Sequence, residues 1–136
     1  MDISVSHVQG NVPVTILKLD GQLDGQNYQD LITKAQETFK AGARDFLLDL
    51  SELIYISSAG LVALHSVALL TRGEELPDTQ GGWSTYRSLG RSSEAGLQKH
   101  VKLLNPRAEV ISVLDMVGFG NVFEIFTDLD EAVKSF

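Results

Sequence analysis

The sequence contains no cysteine, which removes several kinds of chemistry. Without thiols the chain cannot form disulfides, bind metals through thiolates or use a thiol nucleophile. It also has no apolar run near the roughly 18 residues of a membrane-spanning helix, because the run from Ala59 to Leu70 is interrupted by His65 and Ser66. The first residues alternate and lack the basic and apolar pattern of a signal peptide. We therefore expect a cytoplasmic protein without membrane insertion.

Basic residues are few compared with acidic ones. Eleven lysines and arginines stand against 18 aspartates and glutamates, so the formal net charge is -7 at pH 7. A negative field of this size repels phosphate backbones, and we expect no direct nucleic-acid binding. With 136 residues, of which 43% are hydrophobic, the chain has enough apolar material for one packed core. We expect a single domain over residues 1–136.

The patterns of common enzyme sites are missing as well. His7, His65 and His100 lie on three different predicted elements, and none has a second ligand at metal-binding spacing. The chain has no phosphate-binding glycine loop that ends in Gly-Lys-Ser/Thr and no Gly-x-Ser-x-Gly nucleophile motif. The sequence therefore favours a protein with no catalytic residues, no cofactor and no metal.

Hydrophobic periodicity predicts strands that alternate with helices. The predicted order is β-β-α-β-α-insert-β-α-β-α, with strands near 3–7, 12–19, 45–49, 101–104 and 122–126, and helices near 28–39, 58–72, 106–117 and 127–136. Such alternation is typical of an α/β fold. We expect a mixed, mostly parallel sheet of four to five strands packed against about four helices.

The segment from about 73 to 100 forms an insert between the second helix and the following strand. It has no periodicity, contains Pro77 and the Gly81–Gly82 pair, and exceeds ordinary loop lengths. A solvated linker is the ordinary interpretation of such a segment. Basic residues in and beside it could instead contact an acidic partner: Arg87, Arg91, Lys99 and Lys102.

Aspartates offer two weaker hypotheses. Asp20 and Asp24 flank Gly21 and could act as paired carboxylates, although a tight turn and a helix start explain them more simply. Asp49 ends a predicted central strand, which is where response-regulator receiver domains accept a phosphoryl group. The acidic pair and the late lysine that receivers also carry are missing from this sequence.

The most informative run leads from Asp49 to Leu61. Here a predicted strand delivers Ser57 and Ser58 to the first turn of a helix. Unpaired N–H groups and the positive end of the helix dipole favour an oxygen acceptor or an anion at that place. Serine is also among the commonest N-cap residues, so capping is the simpler interpretation from the residues alone.

The run Asp-x-Ser-x-Leu-x-Tyr-Ile-Ser-Ser-Ala-Gly-Leu at 49–61 resembles the signature of STAS domains of the anti-anti-sigma factor type. Segments 19–24, 103–106 and 117–125 also resemble that family, so the resemblance covers most of the chain outside the insert. It implies a small α/β domain that binds an anti-sigma factor, which is often also a serine kinase. In this family the kinase phosphorylates a serine at the start of the second helix, and a serine phosphatase restores it.

Carried over by position, the phosphoacceptor is Ser58. Ser57 stands where the family most often has aspartate, and this departure makes Ser57 an alternative acceptor. Ser58, Val62, His65 and Leu69 share one stripe of the predicted helix, and we expect this stripe to present apolar side chains to the partner unless the insert covers it. The predicted partner-binding residues are Asp24, Ser57, Ser58, Ala59, Gly60, Val62, His65 and Leu69.

The sequence thus predicts a non-enzymatic anti-sigma factor antagonist that is switched at Ser58. The first alternative is a STAS module that is not phosphorylated and binds a small ligand, a lipid or a transporter component. Ser57 in place of aspartate favours that alternative. A receiver-like enzyme that uses Asp49 is the third hypothesis.

Overall fold

The structure is a computed structural model that describes residues 1–72 and 98–136. The predicted insert lies outside the described residues except for its last three positions, and Arg87 and Arg91 lie outside them too. The described elements are β1 (Asp2–Gln9), β2 (Pro13–Leu23), α1 (Tyr28–Lys40), β3 (Phe46–Ile56), α2 (Ser58–Thr71), β4 (Val101–Leu104), α3 (Ala108–Met116), a 3-10 turn (Phe119–Asn121), β5 (Ile125–Phe126) and α4 (Leu129–Lys134). This is the predicted α/β fold.

The five strands lie in the sheet in chain order. β1 pairs antiparallel with β2, and the other three pairings are parallel. Because parallel crossovers share one hand, sequential strands place α1, α2 and α3 on the same face of the sheet. The main core lies on that face, and a smaller cluster around Ala132 of α4 covers part of the other. The prediction of a mostly parallel sheet with helices is confirmed.

The central strands β2 and β3 are longer than their hydrophobic patterns predict. The segment 19–24 was expected to follow β2, but β2 continues through Leu23. Likewise β3 continues past Asp49 to Ile56, so the prediction that Asp49 ends a central strand is wrong. The register between β2 and β3 shifts twice, and each shift gives β3 one extra residue. Such bulges break the alternation on which sequence-based strand assignment depends.

The later elements also begin at different residues from those expected. Asn105 has a φ of 51° and does not cap α3, which starts at Ala108 after Arg107. β5 is only two residues long, because the preceding residues turn as a short 3-10 helix. Asp128 caps α4, which begins at Leu129 and not near 127 as expected, and its carboxylate accepts a hydrogen bond from the backbone N–H of Asp130. A local side-chain hydrogen bond thus marks the start of α4, whereas the N-cap Arg107 of α3 makes no such bond.

Lys102 is buried, which argues against the alternative that its side chain contacts an acidic partner. Its Nζ donates to the backbone oxygen and to Oγ of Ser135, both at 2.9 Å, and lies 3.4 Å from the Glu124 carboxylate. The ammonium also lies 4.8 Å from the centre of the Phe136 ring. Lys102 therefore links the end of α4 to the sheet on the face that carries the smaller cluster.

We expect Lys102→Met to lower the free energy of unfolding by about 1 to 3 kcal/mol, because Ser135 and Glu124 lose a charged donor. Lys34→Met is the matched control. Lys34 forms an exposed 3.6 Å pair with Glu37, and pairs of this kind contribute about 0 to 1 kcal/mol. Urea unfolding of both variants checks the prediction, and equal losses in the two would contradict it.

Candidate functional site at the start of helix α2

Ser57 and Ser58 lie at the junction of β3 and α2, where they occupy different positions. Ser57 is the N-cap: its backbone is extended, and its Oγ accepts a hydrogen bond from the N–H of Gly60 at 3.4 Å. Its own N–H donates to the carbonyl oxygen of Leu23 at 2.9 Å, and its carbonyl oxygen accepts from Leu61. The hydroxyl and the backbone of Ser57 are therefore both engaged in holding the start of the helix.

Ser58 is the first residue of α2, and it is exposed. Within residues 1–72 and 98–136, no hydrogen bond engages its hydroxyl. The first turn of α2 contains no acidic side chain, so the positive end of the helix dipole is not neutralised locally. An oxygen acceptor or an anion attached to this hydroxyl would lie beside the free N–H groups of the first turn.

Gly60 determines how closely α2 approaches the sheet. A Cβ atom at this position would lie 2.6 Å from Cγ1 of Ile56 and 2.8 Å from the carbonyl oxygen of Leu23. These two neighbours are the last residues of β3 and β2, and they are paired in register. The absent side chain therefore lets the start of the helix pack against both strand ends. This contact places the two serines at the carboxyl ends of β2 and β3.

Asp24 follows β2 directly and lies in the loop beside this junction. Its carboxylate accepts a hydrogen bond from the N–H of Gln26 at 2.9 Å, and its own N–H donates to Oδ1 of Asn27 at the same distance. The neighbouring Leu23 carbonyl oxygen accepts a hydrogen bond from the N–H of Ser57. The Asp24 loop and the serines therefore lie together at the carboxyl ends of β2 and β3. Asp20 instead lies within β2.

The predicted apolar stripe along α2 is only partly at the surface. Ala59 and Val62 are half-buried and Gly60 is buried, whereas His65 is 0% and Leu69 is 8% exposed. The prediction that His65 and Leu69 present a partner-binding surface is therefore wrong for this structure. The physical reason is that α2 is apolar almost all round, and such a helix is embedded in the protein rather than laid on its surface.

Sequence reasoning missed the exposed apolar residues of the site, which lie on the strand. Ile54 and Tyr55 are each 50% exposed and immediately precede the helix junction. The register runs from Gly21–Leu53 to Gln22–Tyr55, so Ile54 is an extra residue that β2 leaves unpaired. A bulge turns side chains away from their alternating positions and is common beside functional sites. The sequence signal was this apolar pair, which is separated from the two serines by Ile56 alone.

A second bulge in β3 is held by its own side chains. Oδ1 of Asp49 accepts from the N–H of Ser51 at 3.0 Å and from its Oγ at 2.7 Å. Nε of Arg107 donates to the carbonyl oxygen of Ser51 at 3.0 Å, and the Arg107 guanidinium lies 3.7 Å from the Glu52 carboxylate. Asp49 thus has a structural role within the strand, which weakens the receiver hypothesis.

The three histidines lie on separate elements. His7 on β1 contacts Oγ1 of Thr15 at 3.2 Å, His65 lies within α2, and His100 contacts the Asp45 carboxylate at 2.8 Å. In the part of the chain that the structure describes, no three histidine, aspartate or glutamate side chains are grouped for a metal ion. Among the same residues, no helix is long and apolar enough to cross a membrane.

Comparison with known proteins identifies the family. The family model for the STAS domain matches residues 5–74, which is half of the chain. The chain belongs to the STAS domain family. No curated protein matches the sequence of this STAS domain.

Solved structures show the same fold for this STAS domain at low sequence identity. A Thermotoga maritima protein described as a candidate anti-sigma factor antagonist has a TM-score of 0.64 at 19% identity, covering 96% of this chain and 90% of that one. The anti-sigma factor antagonist SpoIIAA in its unphosphorylated form has a TM-score of 0.62 at 19% identity, covering 97% and 93%. Bacillus SpoIIAA in its phosphorylated form has a TM-score of 0.55 at 17% identity, covering 97% and 96%.

The contact at Gly60 predicts the effect of adding one methyl group. Gly60→Ala should lower the free energy of unfolding by about 1 to 3 kcal/mol, because the Leu23 carbonyl is backbone and cannot swing away. Gly25→Ala is the matched control, since a Cβ there meets nothing within 4 Å. Thermal or urea unfolding measures both. A Gly60→Ala protein as stable as the control would show that the helix start is not held at this distance.

The division between the two serines predicts different effects of their substitution on stability. Ser57→Ala should lower the free energy of unfolding by about 1 kcal/mol because the cap is lost, and Ser57→Asp should retain it because aspartate caps equally well. Ser58→Ala should change the stability little, since its hydroxyl is exposed. Urea unfolding compares the three variants. A loss in Ser58→Ala equal to that in Ser57→Ala would contradict these roles.

Proposed function

We propose that this STAS domain is an anti-sigma factor antagonist, which binds an anti-sigma factor and thereby releases a sigma factor. The contact surface consists of Ile54, Tyr55 and the first turn of α2 with Ser58. The observation that carries the proposal is the exposed Ser58 hydroxyl at a helix start, preceded a few residues earlier in the chain by two half-exposed apolar side chains. The names of the structural neighbours support the same role.

The switch in this proposal is the reversible phosphorylation of Ser58. The partner is an anti-sigma factor that is also a serine kinase and transfers the γ-phosphoryl group of ATP to Oγ of Ser58, releasing ADP and the hydroxyl proton. A serine phosphatase hydrolyses the ester and restores the hydroxyl. The neighbour SpoIIAA, which has been solved in unphosphorylated and phosphorylated forms, supports a switch of this type.

The geometry favours Ser58 over Ser57 as the acceptor. Ser58 is exposed and its hydroxyl makes no hydrogen bond among the described residues, whereas Ser57 is half-buried and its Oγ accepts from the N–H of Gly60. A kinase that modified Ser57 would have to displace the N-cap of α2. Modification of Ser58 leaves the cap in place and requires no unfolding of the helix start.

Charge explains how one phosphoryl group could change the partner. Phosphoserine carries about -1.5 to -2 charges at neutral pH, and the N–H groups and dipole of the helix start tolerate this charge in the free protein. In a complex the same charge must be desolvated against a surface that fits a hydroxyl. A penalty of about 3 kcal/mol weakens binding by more than 100-fold.

We expect Ser58→Asp to weaken binding to the cognate anti-sigma factor about tenfold or more, because it places a carboxylate in the contact, whereas Ser58→Ala binds like the unmodified protein. Titration calorimetry against the anti-sigma factors of the source genome measures the affinities. Ser112→Asp adds the same charge at an exposed position of α3 and serves as the control.

The same measurements separate the proposal from its alternative. Equal affinities of the Ser58→Asp and Ser58→Ala variants would remove Ser58 from the switch. Binding to no anti-sigma factor would instead favour a STAS module that recognises a small ligand, a lipid or a transporter component, for which Ser57 in place of the usual aspartate is the supporting observation.

A further inference from the structure

Among residues 1–72 and 98–136, strand β1 forms one edge of the sheet and pairs on only one side, with β2. Its eight residues keep an unbroken antiparallel register with β2 from Asp2–Asp20 to Gln9–Pro13. Most of its side chains are exposed, and Val5 is 38% exposed. The backbone groups of alternate residues in β1 therefore point away from the sheet along a straight edge.

The sequence of β1 lacks most of the features that usually prevent pairing between sheets. Proteins protect edge strands with lysine, proline, bulges or very short strands. β1 contains no lysine, arginine or proline and has no register shift, and Asp2 at its first position is its only acidic residue. The opposite edge is different, because β5 is only two residues long. Within the part of the chain that the structure describes, one edge strand is thus very short and the other is long and unpaired on its outer side.

The sequence of β1 is compatible with itself across a two-fold axis. In an antiparallel pair centred on Val5, Ser4 of one copy lies opposite Ser6 of the other, and Asp2 lies opposite Val8. No like charges face each other, and the half-exposed Val5 side chains meet at the axis. Small polar and β-branched residues in such positions suit cross-strand pairing.

We propose that two copies of this chain associate through antiparallel pairing of their β1 strands about a two-fold axis at Val5. The two five-stranded sheets then form one continuous sheet, and the open backbone groups of each β1 are satisfied by the other copy. Each copy carries a net charge of -7, so the two copies repel each other at long range. The dimer therefore becomes stronger when salt screens this repulsion.

Sedimentation equilibrium of the full chain at increasing concentration tests the proposal. We expect the mass to rise from 14.8 kDa toward twice that value. The rise should begin at a lower protein concentration in about 0.5 M than in about 0.05 M sodium chloride, because salt screens the repulsion between the two copies. Val5→Lys should remain monomeric, because it places two ammonium groups at the axis. Ile54→Lys, at another exposed apolar residue, should dimerise like the unmodified protein.

A charge-exchange pair tests the register and guards against misfolding of a single variant. The double variant Ser4→Lys, Ser6→Lys places lysines opposite each other and should be monomeric, whereas Ser4→Glu, Ser6→Lys places opposite charges together and should dimerise. Circular dichroism confirms that each variant is folded. Any of four results would overturn the proposal. These are an unmodified protein that is still monomeric at about 1 mM, a Val5→Lys protein that dimerises, an Ile54→Lys protein that is monomeric, and two charge variants of equal mass.

Discussion

The close approach of Gly60 to the ends of two strands is the constraint on which the rest of the site depends. The Leu23 carbonyl and the Ile56 side chain occupy the space that any side chain at this position would need. The start of α2 therefore packs against the carboxyl ends of β2 and β3, where the N–H of Ser57 donates a hydrogen bond to the Leu23 carbonyl oxygen. This contact turns a buried apolar helix into one whose first residue faces solvent.

At this helix start the two adjacent serines have different roles. Ser57 supplies the cap that an N-terminal turn requires, and Ser58 is left exposed at the positive end of the dipole. A phosphoryl group at Ser58 could then change the charge of the surface without disturbing the fold beneath it. The bulge at Ile54 leaves that side chain half-exposed close to the same junction in the chain, and it supplies the apolar part of the proposed contact surface.

Much of the fold could be predicted from the sequence because it depends on local patterns. The alternation of strands and helices, the mostly parallel sheet and the serines at the start of α2 follow from periodicity, capping preferences and the motif at 49–61. These features involve residues that are close in the chain. They therefore required no knowledge of how distant segments pack.

What could not be predicted depends on tertiary packing. The burial of His65 and Leu69 reflects how deeply α2 is embedded, and an almost uniformly apolar helix gives no moment from which its solvent face can be assigned. The bulges of β3 arise from its register with β2, so the exposure of Ile54 was not visible in its own pattern. Lys102 sits in a short apolar strand, and its role depends on Ser135, which is 33 residues away in the chain.

The central claim is that the fold presents the Ser58 hydroxyl to a kinase while it retains the Ser57 hydroxyl as a helix cap. The most direct test is to incubate the protein with ATP and its cognate serine kinase and to locate the phosphoryl group by fragmentation mass spectrometry of the peptide that contains both serines. The account predicts phosphate on Ser58 and none in the Ser58→Ala protein. Phosphate on Ser57 or Asp49, with Ser58 unmodified, would contradict it.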